Sequence, residues 1–202
     1  MENKQQRLLL TYRPLAYNQQ LIKEQIQSGG PVILSGIFSE AGTLNENDRI
    51  YPKEILEREV EKFQKMIEEN RAYGALDHPD SSIIELSNAC WLIKELQWQD
   101  NKVVGKAEVL NTSKGKDLKA ILEAGGSVGT SSRAFGSTRR NNENHEIVNE
   151  DLQLITYDAV ANPSVSKAIL TESYDFHKKY FYNPKIDRIV AVNNILDKIS
   201  KF

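Results

Sequence analysis

The 202-residue chain has a single cysteine, Cys90, which excludes an internal disulfide and suits a reducing compartment. It lacks any run near the roughly 20 apolar residues that a membrane-spanning helix needs. Its polar start, Met1 to Arg7, has no apolar centre of the kind a secretory signal carries. An excess of one charge is missing too. Lys and Arg number 26 against 28 Asp and Glu, and a net charge of −2 offers no bulk attraction to nucleic acid or an anionic membrane. The expectation is a cytoplasmic protein with neither nucleic acid nor membrane as a partner. Internal repeats and low-complexity tracts are also absent. What remains is an ordinary globular balance, 40% hydrophobic and 27% charged, long enough for one domain with a real core.

Hydrophobic spacing predicts the elements. Val32 to Phe38 is β-branched and apolar enough for a buried strand. A polar loop from Glu40 to Arg49 leads to Pro52, suited to a helix's first turn, and Leu56, Val60, Phe63 and Ile67 then mark one helical face. Strands are expected at Ala89 to Trp98 and Lys102 to Leu110, turning at Asp100-Asn101, with Cys90, Leu92, Leu96 and Trp98 sharing a face of the first. Lys114 to Glu123 reads as a short helix stopped by Gly125-Gly126. Ser127 to Ala134 and Leu152 to Val160 read as strands, with a polar loop, Thr138 to Asn149, between them. Beyond about Thr171, aromatic residues crowd among lysines and Ile186 to Ile199 looks helical, as a docking helix or a removable extension. Short strands and helices without regular alternation give an α+β class.

Few residues carry the chemistry of a site. Of the three histidines, His145 lies in a polar loop and His177 in the aromatic tail, whereas His78 precedes Pro79, which restricts it to extended conformations. His78 reads either as a turn residue or as a general base. Gly129-Thr130-Ser131-Ser132-Arg133 offers hydroxyls at a glycine-flanked strand end, which suits an attacking serine, although a strand with a polar outer face would look the same. Arg133 could assist through its guanidinium or its backbone N–H. Asp158 sits between apolar neighbours, so its carboxylate either caps a turn or needs a buried partner such as an imidazole. Asp77, His78 and Asp80 would suit a metal-dependent hydrolase, but no further His or Cys cluster completes that set, and no metal or cofactor is expected. Cys90, on an apolar strand face, reads as a small buried hydrophobe.

Taken in order, these segments resemble the prohead core proteases of tailed phages, T-even type, which are similar to herpesvirus assemblin proteases. The resemblance runs from about Gly36 to Leu170. It rests on Asn47-Asp48-Arg49-Ile50-Tyr51-Pro52, Leu76-Asp77-His78-Pro79, Gly129-Thr130-Ser131-Ser132-Arg133, Ile147-Val148-Asn149-Glu150, and Asp158-Ala159-Val160 with Pro163-Ser164. It implies a compact β-barrel-like core of mixed strands surrounded by helices. It also implies a serine endopeptidase with Ser131 as nucleophile, Ser132 as the fallback, His78 as general base and Asp158 as third member, a role the herpesvirus relatives give to histidine. Ala134 and Ala75 depart from the family, which usually has glycine and an acidic residue there. The implied substrates are prohead scaffold or core proteins and the major capsid protein, cut after glutamate inside the immature prohead in the host cytoplasm. Leu170-Thr171-Glu172-Ser173 fits that cleavage rule, which divides the chain into a protease domain, 1–172, and a removable tail, 173–202. A homo-oligomer is left open, and a non-catalytic head-assembly protein of the same fold is the alternative reading.

Overall fold

In the computed structural model, residues 5–161 are described, apart from Ala16 and Asn18. The tail and its expected helix lie outside them, as does the expected cleavage site. Among the described residues, ten strands form three sheets. The first has β1 (Arg7–Pro14) and β10 (Gln153–Ala161) on either side of β7 (Val128–Gly136), both antiparallel to it. The second runs β2 (Val32–Glu40), β6 (Lys102–Val109), β5 (Ala89–Gln99), β4 (Tyr73–Ala75). The third and smallest orders β3 (Arg49–Ile50), β9 (Glu146–Val148) and β8 (Thr138–Arg140). Helices α1 (Gln19–Gln27), α2 (Lys53–Glu68) and α3 (Ser113–Glu123) complete the described part.

The class is a mixed α+β fold, but the expected barrel-like core is not there: none of the three sheets closes on itself. The reason is visible where β4 meets β10. Instead of a continuous ladder, side chains join the two sheets. Thr156 Oγ1 donates to the Tyr73 carbonyl (2.6 Å), and the Trp91 indole donates to the Tyr157 carbonyl (2.9 Å). Gly74 makes room for that indole, since a Cβ there would lie 2.0 Å from Trp91 Nε1 and 2.1 Å from Tyr157 O. Only a single parallel bridge, Leu76 to Ala159, continues the junction.

Between the sheets and α2 lies an aromatic centre. Tyr157 meets Phe38 and Phe63 edge-on, with ring centroids 5.3 and 5.7 Å apart. Leu56, Val60 and Phe63 of α2 are buried as their spacing predicts, but Glu59 is buried beside them. Its carboxylate accepts from Lys62 Nζ (2.7 Å), Arg58 Nε (2.9 Å) and the Leu154 N–H (3.0 Å), tying α2 to the start of β10. Burial pushes this carboxyl up, but the donors outweigh it and hold the group below the ordinary carboxylate range.

Two further expectations need correction. The polar stretch 138–149 is not a plain loop: β8 and β9 form a hairpin there, and β9 adds β3 in parallel. In β5, Cys90 and Leu92 do not share a face with Leu96 and Trp98. A register shift between Ile93 and Glu95 exchanges the faces, so Trp91 and Ile93 line up with Leu96 and Trp98 against Val109, Ala107, Gly105 and Val103. The N-terminal segment, for which the sequence pattern predicts no element, supplies β1 and α1.

Candidate active site

Ser131 does not sit at a strand end. It is midway along β7, the central strand of its sheet, with Tyr12 of β1 registered on one side and Asp158 of β10 on the other. Residues paired directly across a sheet share a face, so one row carries Tyr12, Ser131 and Asp158. Ser132 is paired with Thr11 and Tyr157 and so faces the opposite side, toward the aromatic centre.

His78 reaches this row from the β4 end. After the Leu76–Ala159 bridge, the Asp77 N–H donates to the Ala159 carbonyl (2.7 Å), and Asp77 takes a left-handed φ of 61°. Aspartate is among the few non-glycine residues that tolerate this region, which suits Asp77 to the turn. The turn brings His78 Nδ1 to 2.9 Å from Asp158 Oδ2. A carboxylate only accepts, so in the neutral imidazole Nδ1 carries the proton and Nε2 is left with its lone pair.

Asp158 is fully buried and fully engaged. Oδ2 accepts from His78 and from Arg133 Nε (2.8 Å), and Oδ1 from the Ala75 N–H (2.8 Å) and Arg133 Nη2 (3.3 Å). Arg133 lies two residues beyond Ser131 on the same face and is itself 0% exposed. Its remaining donor, Nη1, bonds the Ser81 carbonyl in the segment after His78. The guanidinium is therefore committed to holding Asp158 and that segment. The bidentate fork turns Nε and Nη2 to the carboxylate.

A cavity of about 290 Å³ lies over this row. Its walls include Leu10, Tyr12, Asn47, His78, Ser131 and Val160. Ser131 Oγ is buried there with no hydrogen-bond partner, and so is Tyr12 Oη. A buried hydroxyl without a protein partner can bond a ligand or water, and both of these line the cavity. Cys90 is buried, and burial together with the nearby negative charge of Asp158 pushes its thiol well above the ordinary range, so it is inert. Among the described residues no three His, Cys, Asp or Glu side chains converge as a metal site would require, and Asp77, His78 and Asp80 do not form one.

The structure thus brings together Ser131, His78 and Asp158, and leaves Ser132 on the other face. His145 stands apart, 3.6 Å from Glu143 in the β8–β9 hairpin. Sequence reasoning missed Tyr12 and Asn47. No periodic signal marks Tyr12, but Asn47 opens one of the quoted motifs, and the structure shows what that motif does. Asn47 Nδ2 and Arg49 Nη1 both donate to the Leu10 carbonyl (2.8 and 3.0 Å), and Thr11 Oγ1 donates to Tyr51 Oη (2.9 Å). Asn45 shapes the turn by accepting from the Asn47 and Arg49 N–H groups. The segment clamps β1 immediately before Tyr12.

The sequence profile of the family described as prohead core protein serine protease matches residues 19–174, so the chain belongs to that family. It is therefore a protease of the kind that acts in phage prohead maturation. The prohead core protein protease of Enterobacteria phage T4 is 37% identical over 142 residues, which span 68% of this chain and 67% of that protein. The solved structure of the bacteriophage T4 capsid assembly protease, gp21, superposes with a TM-score of 0.69 at 28% identity, covering 79% of this chain and 99% of the other.

Proposed function

We propose that the chain is a serine endopeptidase in which Ser131 is the nucleophile, His78 the general base and Asp158 the carboxylate that orients the imidazole. The observation that carries this reading is the 2.9 Å contact of Asp158 with His78 Nδ1, beside a buried, unpartnered Ser131 hydroxyl in the same cavity. As Ser131 Oγ bonds to the substrate's peptide carbonyl carbon, His78 Nε2 takes the hydroxyl proton. Collapse of the tetrahedral species breaks the C–N bond, and the same proton goes to the leaving amine. Water, deprotonated by His78, then cleaves the acyl ester and returns Ser131. Asp158 keeps the productive tautomer and stabilises the imidazolium without taking the proton itself.

The substrates in this reading are prohead scaffold or core proteins and the major capsid protein, cut after glutamate in the prohead interior. The names of the phage T4 relatives, a prohead core protein protease and a capsid assembly protease, support that assignment. Self-processing after Glu172 would divide the chain into the protease domain, 1–172, and the tail, 173–202. Purified scaffold protein incubated with Ser131→Ala and His78→Ala variants tests the mechanism. Both substitutions are expected to abolish cleavage, while Ser132→Ala retains it; cleavage by either of the first two at the native rate refutes the assignment. Mass spectrometry of the active enzyme tests the tail. Full-length chain persisting while scaffold is cut would refute self-processing.

A further inference from the structure

The cavity contains a second hydroxyl that the mechanism above does not use. Tyr12 is registered directly across from Ser131, and its ring leans along the strand over Gly129. A Cβ at residue 129 would lie 2.4 Å from Tyr12 Oη and 2.6 Å from two ring carbons, so only glycine accommodates the phenol there. Tyr12 Oη has no partner within the protein although it is buried. The clamp on Leu10 and Thr11, made by Asn47, Arg49 and Tyr51, holds the strand that presents it. All of β1 precedes residue 19, where the family match begins.

Resting on Ser131 as the nucleophile, we propose that Tyr12 is a catalytic residue whose hydroxyl donates a hydrogen bond to the oxygen of the substrate carbonyl that Ser131 attacks. Three observations support a donor in this place. Ser131 and Tyr12 line the same cavity from adjacent strands. Arg133, two residues along the same strand face, is itself buried and turned to Asp158 and the Ser81 carbonyl. Burial, reinforced by the negative charge of Glu46 and by Tyr17, pushes the phenol above its ordinary range, so it keeps its proton and stays a neutral donor. When Oγ adds to the carbonyl carbon, the C=O π pair moves to oxygen, and the phenol faces the charge that develops. It forms no covalent bond and gives up no proton. The hydroxyl, which has no partner within the protein, is then free to bond the substrate oxygen, and most strongly in the tetrahedral state.

Tyr12→Phe tests this with the full chain cutting purified scaffold protein. Loss of one oxyanion donor is expected to lower kcat by about 10²-fold with KM little changed. Inactivation by a serine-directed phosphonate, whose tetrahedral adduct carries the same oxygen, is expected to slow in proportion. The melting temperature should be no lower than that of the parent, because the hydroxyl makes no bond within the protein. An unchanged kcat overturns the proposal, as does an effect confined to KM, native-rate phosphonylation or a lower melting temperature. Ser131→Ala run in parallel separates the two readings. If Ser131→Ala is inactive and Tyr12→Phe fully active, only the Tyr12 role falls; if Ser131→Ala is active, the nucleophile assignment itself fails.

Discussion

Replacing Arg133 by methionine puts the buried electrostatics of the site to a quantitative test. Arg133 and Asp158 have side chains that are 1% and 0% exposed and meet through two contacts, at 2.8 and 3.3 Å. Methionine keeps much of the side-chain volume but leaves the Asp158 carboxylate with only His78 and the Ala75 N–H as donors. Removing one partner of such a buried pair costs about 3–5 kcal/mol, against about 1 kcal/mol or less for an exposed pair. Urea unfolding at neutral pH measures the difference. For a chain of this size the expected loss corresponds to a melting temperature lower by about 6–20 °C. Adding Asp158→Asn to Arg133→Met should restore part of the loss, since the stranded charge is gone. A loss below about 1 kcal/mol, or strictly additive effects in the double variant, would refute the view that the pair is one buried unit.

Glu59→Gln should lower stability at pH 7 by about 1–3 kcal/mol through its charge-assisted bonds. Because the folded-state carboxyl is held below its ordinary value of about 4.3, its contribution is complete above that pH and is lost as pH falls through the depressed value. The two proteins' stabilities, followed by urea titration at descending pH, should converge in acid; a constant gap would contradict the assignment. Gly74→Ala forces a methyl group into Trp91 and the Tyr157 carbonyl, and should cost about 2–4 kcal/mol by overpacking plus the lost indole bond. Native-like thermal stability of that variant would show that the sheet junction does not depend on close approach there.

Much of this protein follows from local pattern. The apolar period of α2, the β-branched run of β2 and the diglycine stop after α3 each record a short-range constraint, namely a helical face, a pleated surface or a left-handed cap at Gly125 (φ 86°). The motif order also placed His78, Ser131 and Asp158 together, because a proton path constrains residue type at each of its points. Chain pattern could not show that 80 residues of separation close to 2.9 Å between His78 and Asp158. Nor could it choose between Ser131 and Ser132 by chemistry, since the two differ only in which face of β7 they occupy. Register with β10 separates them, pairing Ser131 with Asp158 and Ser132 with Tyr157, and Arg133 on the Ser131 face bonds Asp158. The open sheets and the exchange of faces in β5 likewise depend on long-range pairing and one extra residue, to which local periodicity is blind. Tyr12 is the clearest case. Its strand carries no strong pattern of its own and exists because β7 pairs with it and residues 45–51 grip it.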